Sequence, residues 1–200
     1  MILTHADADH MEGADEILEA IKVKEIHISP GSLEEKTMDE LRKVANHHQV
    51  PILEKRAGDF FQLSPFIFTY LYPENSDYEG NNDSLILSMY NNYFHGLFLG
   101  DLEKEGEQRL LQMYGESLND LTLIKLGHHG SKTSSHQQFL ERTMPDLAII
   151  TAGFQNRYGH PHKEVTDRLD ILSIPYFQTG EAGAVEVEIT KEGKVTYFIH

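Results

Sequence analysis

Four apolar runs in this 200-residue chain end abruptly at histidine, aspartate or asparagine, and that repeated ending limits the possible folds more than any other feature. The first run, Met-Ile-Leu, leads into "THADADHMEG", which places His5, Asp7, Asp9 and His10 within six positions. The second, "GLFLGD", stops at Asp101, and the third, "LTLIKLGHHGS", stops at His128 and His129. The fourth, "LAIITAGFQNRYGHPH", brings Asn156, His160 and His162. Strands that end this way gather their polar groups along one edge of a sheet, where loops from several strands share a cleft.

The stretches between these runs alternate short β patterns with amphipathic helices. "GADEILEAIKV" spaces Ile17, Leu18 and Ile21 as a helix, and "KEIHIS" follows as a strand. Ser32 and Glu35 form a capping box ahead of a helix with the stripe Met38, Leu41, Val44 and Ala45. "PILEKR", "FFQL" and "FIFTYLY" read as strands, the last with Phe66, Phe68 and Tyr70 on one face. A polar loop spans Glu74 to Asp83. "SLILSMY" and "HGLFLGD" then make a hairpin turning at Asn91 and Asn92, and "EKEGEQRLLQMY" is helical. The rest repeats strand and helix in "LTLIKLG", "SSHQQFLERT", "DLAIITAG" and "KEVTDRLDIL", and closes with the antiparallel pair "AVEVEIT" and "KVTYFIH". Interleaved helices, strands and hairpins define a mixed α/β class, expected as one domain over residues 1–200.

A lone His or Asp in a loop reads as a cap or a solvated turn, and Asp101 is well placed to cap the helix after it. Four such groups in six positions are different, because clustered carboxylates repel one another unless a cation neutralises them. The chain has no cysteine, so every ligand must be nitrogen or oxygen. Its formal net charge of -15 disfavours direct attraction to a phosphate backbone, and metal ions would have to supply the missing positive charge for such a substrate. No apolar run reaches the ~18 residues of a membrane span.

Taken in order, H-x-D-x-D-H, "NNDSLIL", "FLGD", "IKLGHHGSKTSS", "TAGFQNRYGHPH" and "QTGEAGAVEVEI" resemble the metallo-β-lactamase superfamily, and within it the C-terminal hydrolase domain of ComEC-type DNA-internalisation competence proteins. Most superfamily members carry His where Asp7 stands here. The resemblance implies an αββα sandwich and two divalent cations, zinc or manganese. His5 and Asp7 would hold the first, and Asp9, His10 and His129 the second, with Asp101 bridging. Many relatives complete the first site with another His, and "GNND" offers Asn81 or Asn82 instead, which makes that site oxygen-rich and tilts it towards Mn²⁺ or Mg²⁺. The implied chemistry is phosphodiester hydrolysis, with DNA the expected substrate and Asp9 orienting the attacking water. His160 is a candidate general acid or phosphate contact. His128, Ser131, Asn156 and His162 are expected at the substrate, with Lys132, Thr133 and Ser134 near a backbone phosphate.

Relatives place several strands ahead of the metal motif, so the domain is expected to lack its N-terminal strands, as a piece of a longer protein or the product of a shortened gene. A bare sheet edge would favour a homodimer. A membrane channel is the expected companion if the chain is part of a ComEC-type protein, with the domain then on the extracellular face, and otherwise in the cytoplasm. Two other readings stand beside the nuclease: a hydrolase of a smaller phosphoester, and a degenerate metal-binding domain with a structural role.

Overall fold

A computed structural model describes residues 1–34, 38–190 and 194–200. A short helix α1 (Ala8–Met11) is followed by α2 (Ala14–Ala20), strand β1 (Ile26–Ile28), α3 (Asp39–His47) and β2 (Ile52–Glu54). β1 and β2 pair in parallel, and Ile2 bridges to His27, so the segment entering the first polar motif lies alongside this small sheet. Ala14 and Leu18 of α2, and Leu41 and Ala45 of α3, are buried one turn apart and pack with Leu3, Ile26 and Ile28.

The larger sheet holds seven strands in chain order. β3 (Phe60–Leu63), β4 (Phe66–Tyr72), β5 (Ile86–Asn91) and β6 (Phe94–Phe98) form an antiparallel meander. β7 (Leu123–Lys125), β8 (Ala148–Ile150) and β9 (Tyr176–Gln178) continue it in parallel. Parallel neighbours need crossovers, supplied here by α4 (Lys104–Tyr114), α5 (Gln137–Thr143) and α6 (Lys163–Ile171). Leu110, Phe139, Leu140, Val165 and Leu169 from these helices meet Leu97, Ile124 and Ile150 of the sheet in the main core. Each such side chain stabilises the fold by about 1.5–3 kcal/mol relative to an exposed position. After a short α7 (Thr179–Ala182), the hairpin of β10 (Val185–Ile189) and β11 (Val195–Ile199) covers Phe94, Leu123 and Ile149.

Strands and helices follow the hydrophobic pattern closely, and the departures lie at polar segments. Asp9 and His10 of the first polar motif are wound into α1, and the Glu74–Asp83 loop ends in a 3₁₀ turn over Gly80–Asp83. The expected capping box includes Glu35, which lies outside the described residues. Ser32 instead directs its hydroxyl to Ser29 at 2.7 Å, and α3 begins later, at Asp39. Asp101 does not cap α4, because that helix starts at Lys104 with Glu103 in the cap position. The parallel arrangement brings the C-terminal ends of β6, β7 and β8 to one rim, which is where α/β sheets place their binding crevices.

Candidate metal centre

The rim is populated from three stretches of chain. His10 and Asp9 come from α1, Asp101 from the turn after β6, and His129 from the turn after β7. One ligand atom from each of these four side chains lies within 4.8 Å of the other three. Asp101 is buried at the middle: one carboxylate oxygen is 3.2 Å from His10 Nε2, and the other is 3.4 Å from His129 Nε2. Asp9 Oδ2 is 3.5 Å from His129 Nε2, and the two imidazole Nε2 atoms face each other at 3.3 Å.

Backbone and hydroxyl groups aim these rings. His129 Nδ1 is 2.8 Å from the Thr151 carbonyl, which can only accept, so Nδ1 carries a proton and Nε2 is the nitrogen turned to the cluster. The Thr4 hydroxyl lies 3.0 Å from His10 Nδ1 and 3.1 Å from His5 Nδ1, with Ser84 Oγ at 3.3 Å from the latter. His128 and His129 both adopt left-handed backbone angles, φ +46° and +52°. For residues with a Cβ each such conformation costs on the order of 1–2 kcal/mol. It persists because His128 N–H donates to Gly100 O, Ser131 N–H to His128 O, and Ser134 Oγ to Gly127 O. Strain held this way at the end of a strand presents both histidines to the rim.

The electrostatics are those of a site for positive charge. Burial works to raise the Asp101 carboxyl, but hydrogen bonds with His10 and His129 and the charge of Lys125 hold it well below the usual carboxylate range. The bond to Asp101 pushes His129 up against the effect of burial. Burial lowers Lys125, which gives its ammonium to Gly100 O at 3.0 Å beside Asp101. His5 is lowered by burial and by His10, and its Nε2 has no hydrogen-bond partner among the described residues. A buried imidazole nitrogen without a partner, and two facing Nε2 atoms around a buried carboxylate, fit a borderline divalent cation with N and O ligands.

The remaining expected residues divide sharply. Asp7 Oδ2 is 3.6 Å from His5 Nε2, but Asp7 is largely exposed and neither residue joins the four-membered group. Asn81 and Asn82, offered as completing ligands, are turned to Glu103 instead: Asn81 Nδ2 donates to its carboxylate at 3.2 Å, and Asn82 Oδ1 accepts its backbone N–H at 3.1 Å. Glu103 was missed by sequence reading, since it looks like any acidic residue opening a helix. It lies 3.2 Å from His128 Nδ1 and accepts from Thr133 Oγ1 at 2.8 Å, which leaves His128 Nε2 4.0 Å from Asp101. Thr151, whose carbonyl orients His129, was missed as well.

His160 lies over the histidine pair, its ring 5.5 Å from His128 and 6.3 Å from His129, with its pKa lowered by burial and by His162, His128 and His129. It lines a cleft of about 180 Å³ with Asp9, His129, Thr151, Asn156 and Tyr158. Ser131 is buried, with its hydroxyl 3.0 Å from that of Thr133, and Ser134 holds the Gly127 carbonyl. His162 Nδ1 accepts the Lys132 N–H at 3.1 Å, and the Asn156 amide bonds within its own loop. These four side chains therefore brace the loops around the cleft.

No family model matches the chain. It is 38% identical over 187 residues, 93% of its length, to ComE operon protein 3 of Bacillus subtilis (strain 168), covering 24% of that protein. It is 34% identical over 127 residues, 63% of its length, to competence protein ComA of Neisseria gonorrhoeae, covering 18% of that protein. The chain thus spans about a quarter or less of the curated relatives it matches. Its structure superposes on the metallo-beta-lactamase fold protein YhfI of Bacillus subtilis with a TM-score of 0.58 at 11% identity, over 98% of this chain and 76% of that one. None of the described helices is long and apolar enough to cross a membrane.

Proposed function

Since the chain belongs to the metallo-β-lactamase superfamily, in its ComEC-type competence group, we propose that it is a metal-dependent hydrolase of phosphodiesters that acts on DNA during uptake. One observation carries this reading: Asp9, His10, Asp101 and His129, from three separate segments, converge within 4.8 Å. A divalent cation held by these four residues would supply Lewis acidity and lower the pKa of water towards neutrality. The chain's own groups do the rest. Asp101 holds His10 and His129 apart and aimed, Thr151 O keeps the proton of His129 on the far nitrogen, and exposed Asp9 stands at the mouth of the cleft to accept a proton from the attacking water. His160, which lines the same cleft, is the proposed general acid or phosphate contact. His5 and Asp7 are the proposed start of a second, weaker cation site. In a longer protein a membrane channel would bring the strand to this rim.

The acidic surface, with its formal charge of -15, favours a second reading in which the substrate is a smaller phosphoester. An assay with Mn²⁺ or Zn²⁺ on single-stranded DNA beside a chromogenic phosphodiester separates the two. We expect cleavage of DNA, and a loss of at least a hundredfold in Asp9→Ala. Cleavage of the small ester alone supports the second reading, and equal rates in Asp9→Ala would assign the activity to a contaminant.

A further inference from the structure

Residues 153–162 leave β8 and return to α6 as a loop that carries rings outward from the cluster. The His160 ring lies 6.3 Å from that of His129 with 17° between their planes, and the Tyr158 ring lies 5.8 Å from His160 with 25° between theirs. The Arg157 guanidinium sits 4.7 Å from the centre of the Tyr158 ring and also donates to its hydroxyl. Tyr158 is 58% exposed all the same, and it lines the same cleft as Asp9 and His129. Its placement is fixed from below: Asn156 Oδ1 accepts the N–H of Tyr158 at 3.2 Å and that of His160 at 3.0 Å, while Asn156 Nδ2 donates to Gly153 O at 2.9 Å. The loop thus devotes a whole amide side chain to presenting a flat ring and a cation beside the cleft lined by Asp9, His129 and His160.

We propose that Arg157 and Tyr158 form a stacking platform for an unpaired nucleobase of the strand being cut, which makes the substrate single-stranded nucleic acid. This inference rests on the phosphodiesterase reading of the cluster. A base inside a duplex is paired and stacked and offers no free face without being extruded, whereas a base in a single strand can lie on a ring or on a guanidinium plane. Base–aromatic stacking tolerates any sequence, and arginine adds both cation–π attraction and charge opposite the backbone. That charge matters at a cleft whose mouth carries Asp9 and in a chain of formal charge -15.

The test compares an oligothymidylate with an abasic strand of equal length, by fluorescence anisotropy and by steady-state cleavage in Mn²⁺. The wild-type chain is expected to bind the base-bearing strand about tenfold more tightly than the abasic one. Tyr158→Ala should bring that ratio close to one and Tyr158→Phe should restore it. Tyr93→Ala should keep the wild-type ratio, since Tyr93 is an exposed tyrosine in the β5–β6 turn, at the opposite end of β6 from Asp101. A wild-type ratio of one, a ratio that survives in Tyr158→Ala, or a duplex that competes as well as the single strand would each overturn the platform. Failure to cleave either strand or a small phosphodiester counts against the phosphodiesterase reading instead, and the anisotropy ratio still decides the platform. Unchanged thermal melting of Tyr158→Ala certifies that the variant is folded.

Discussion

Asp101→Ala is expected to abolish the stabilisation that divalent cations give the chain and to lower phosphodiester hydrolysis by on the order of a thousandfold. Asp101 is 3% exposed and its two oxygens are divided between His10 and His129, so no other residue can take its place between the imidazoles. A cation present at a hundred times its dissociation constant stabilises the wild type by about 2.7 kcal/mol. For a chain of this length that is a rise in melting temperature of about 5–10 °C. The variant should show almost no rise. Without metal it should also melt below the wild type, because the Lys125 ammonium loses its nearest opposite charge and keeps only the Gly100 carbonyl. Thermal melting with and without Mn²⁺ reads both effects, and an equal metal-induced rise in variant and wild type would remove Asp101 from the centre of the site.

Gly130→Ala should fold and yet lose about a hundredfold in kcat/KM. Gly130 has φ +80°, where a Cβ is strained, and the added carbon would stand 2.7 Å from Pro161 Cβ and 3.1 Å from Ile150 Cγ2. Neither neighbour can give way: the first is part of a ring, and Ile150 is fully buried in the main core. The turn carrying His129 must then move away from the segment carrying His160, and the two walls of the cleft separate. The cost in stability is on the order of 1–3 kcal/mol, well short of unfolding a typical domain. Urea denaturation together with steady-state kinetics distinguishes this from simple misfolding, and wild-type kcat/KM in a folded variant would show that the spacing of the two loops does not matter.

Much of the fold was legible because its hydrophobic periods are clean. The meander from Phe60 to Phe98 and the strand–helix repeats after Leu123 fall where alternating and helical spacing put them. The gathering of Asp101 and His129 was legible for a related reason, since each lies just past an apolar strand that ends at the rim of the large sheet, while Asp9 and His10 follow the Met-Ile-Leu run that bridges to the small sheet. What could not be read was everything set by the path of the loops. Glu103 orients His128 and Thr151 orients His129 through contacts between segments 22 to 25 residues apart, and neither leaves a pattern in the sequence. Ser131, Asn156 and His162 stand in a string of polar residues, and their bonds to Thr133, Gly153 and Lys132 depend on how the loops fold back on one another. Asn81 and Asn82 were read by position in a motif, and the 3₁₀ turn at Gly80–Asp83 directs them to Glu103.

Asp9, His10, Asp101 and His129 are expected to share a divalent cation, which a crystal of the chain grown with Mn²⁺ would reveal through anomalous differences recorded at the manganese edge. The expected result is a peak in coordination contact with a nitrogen or oxygen of each of the four side chains. A map with no peak there, or with manganese bound only elsewhere on the acidic surface, would contradict it.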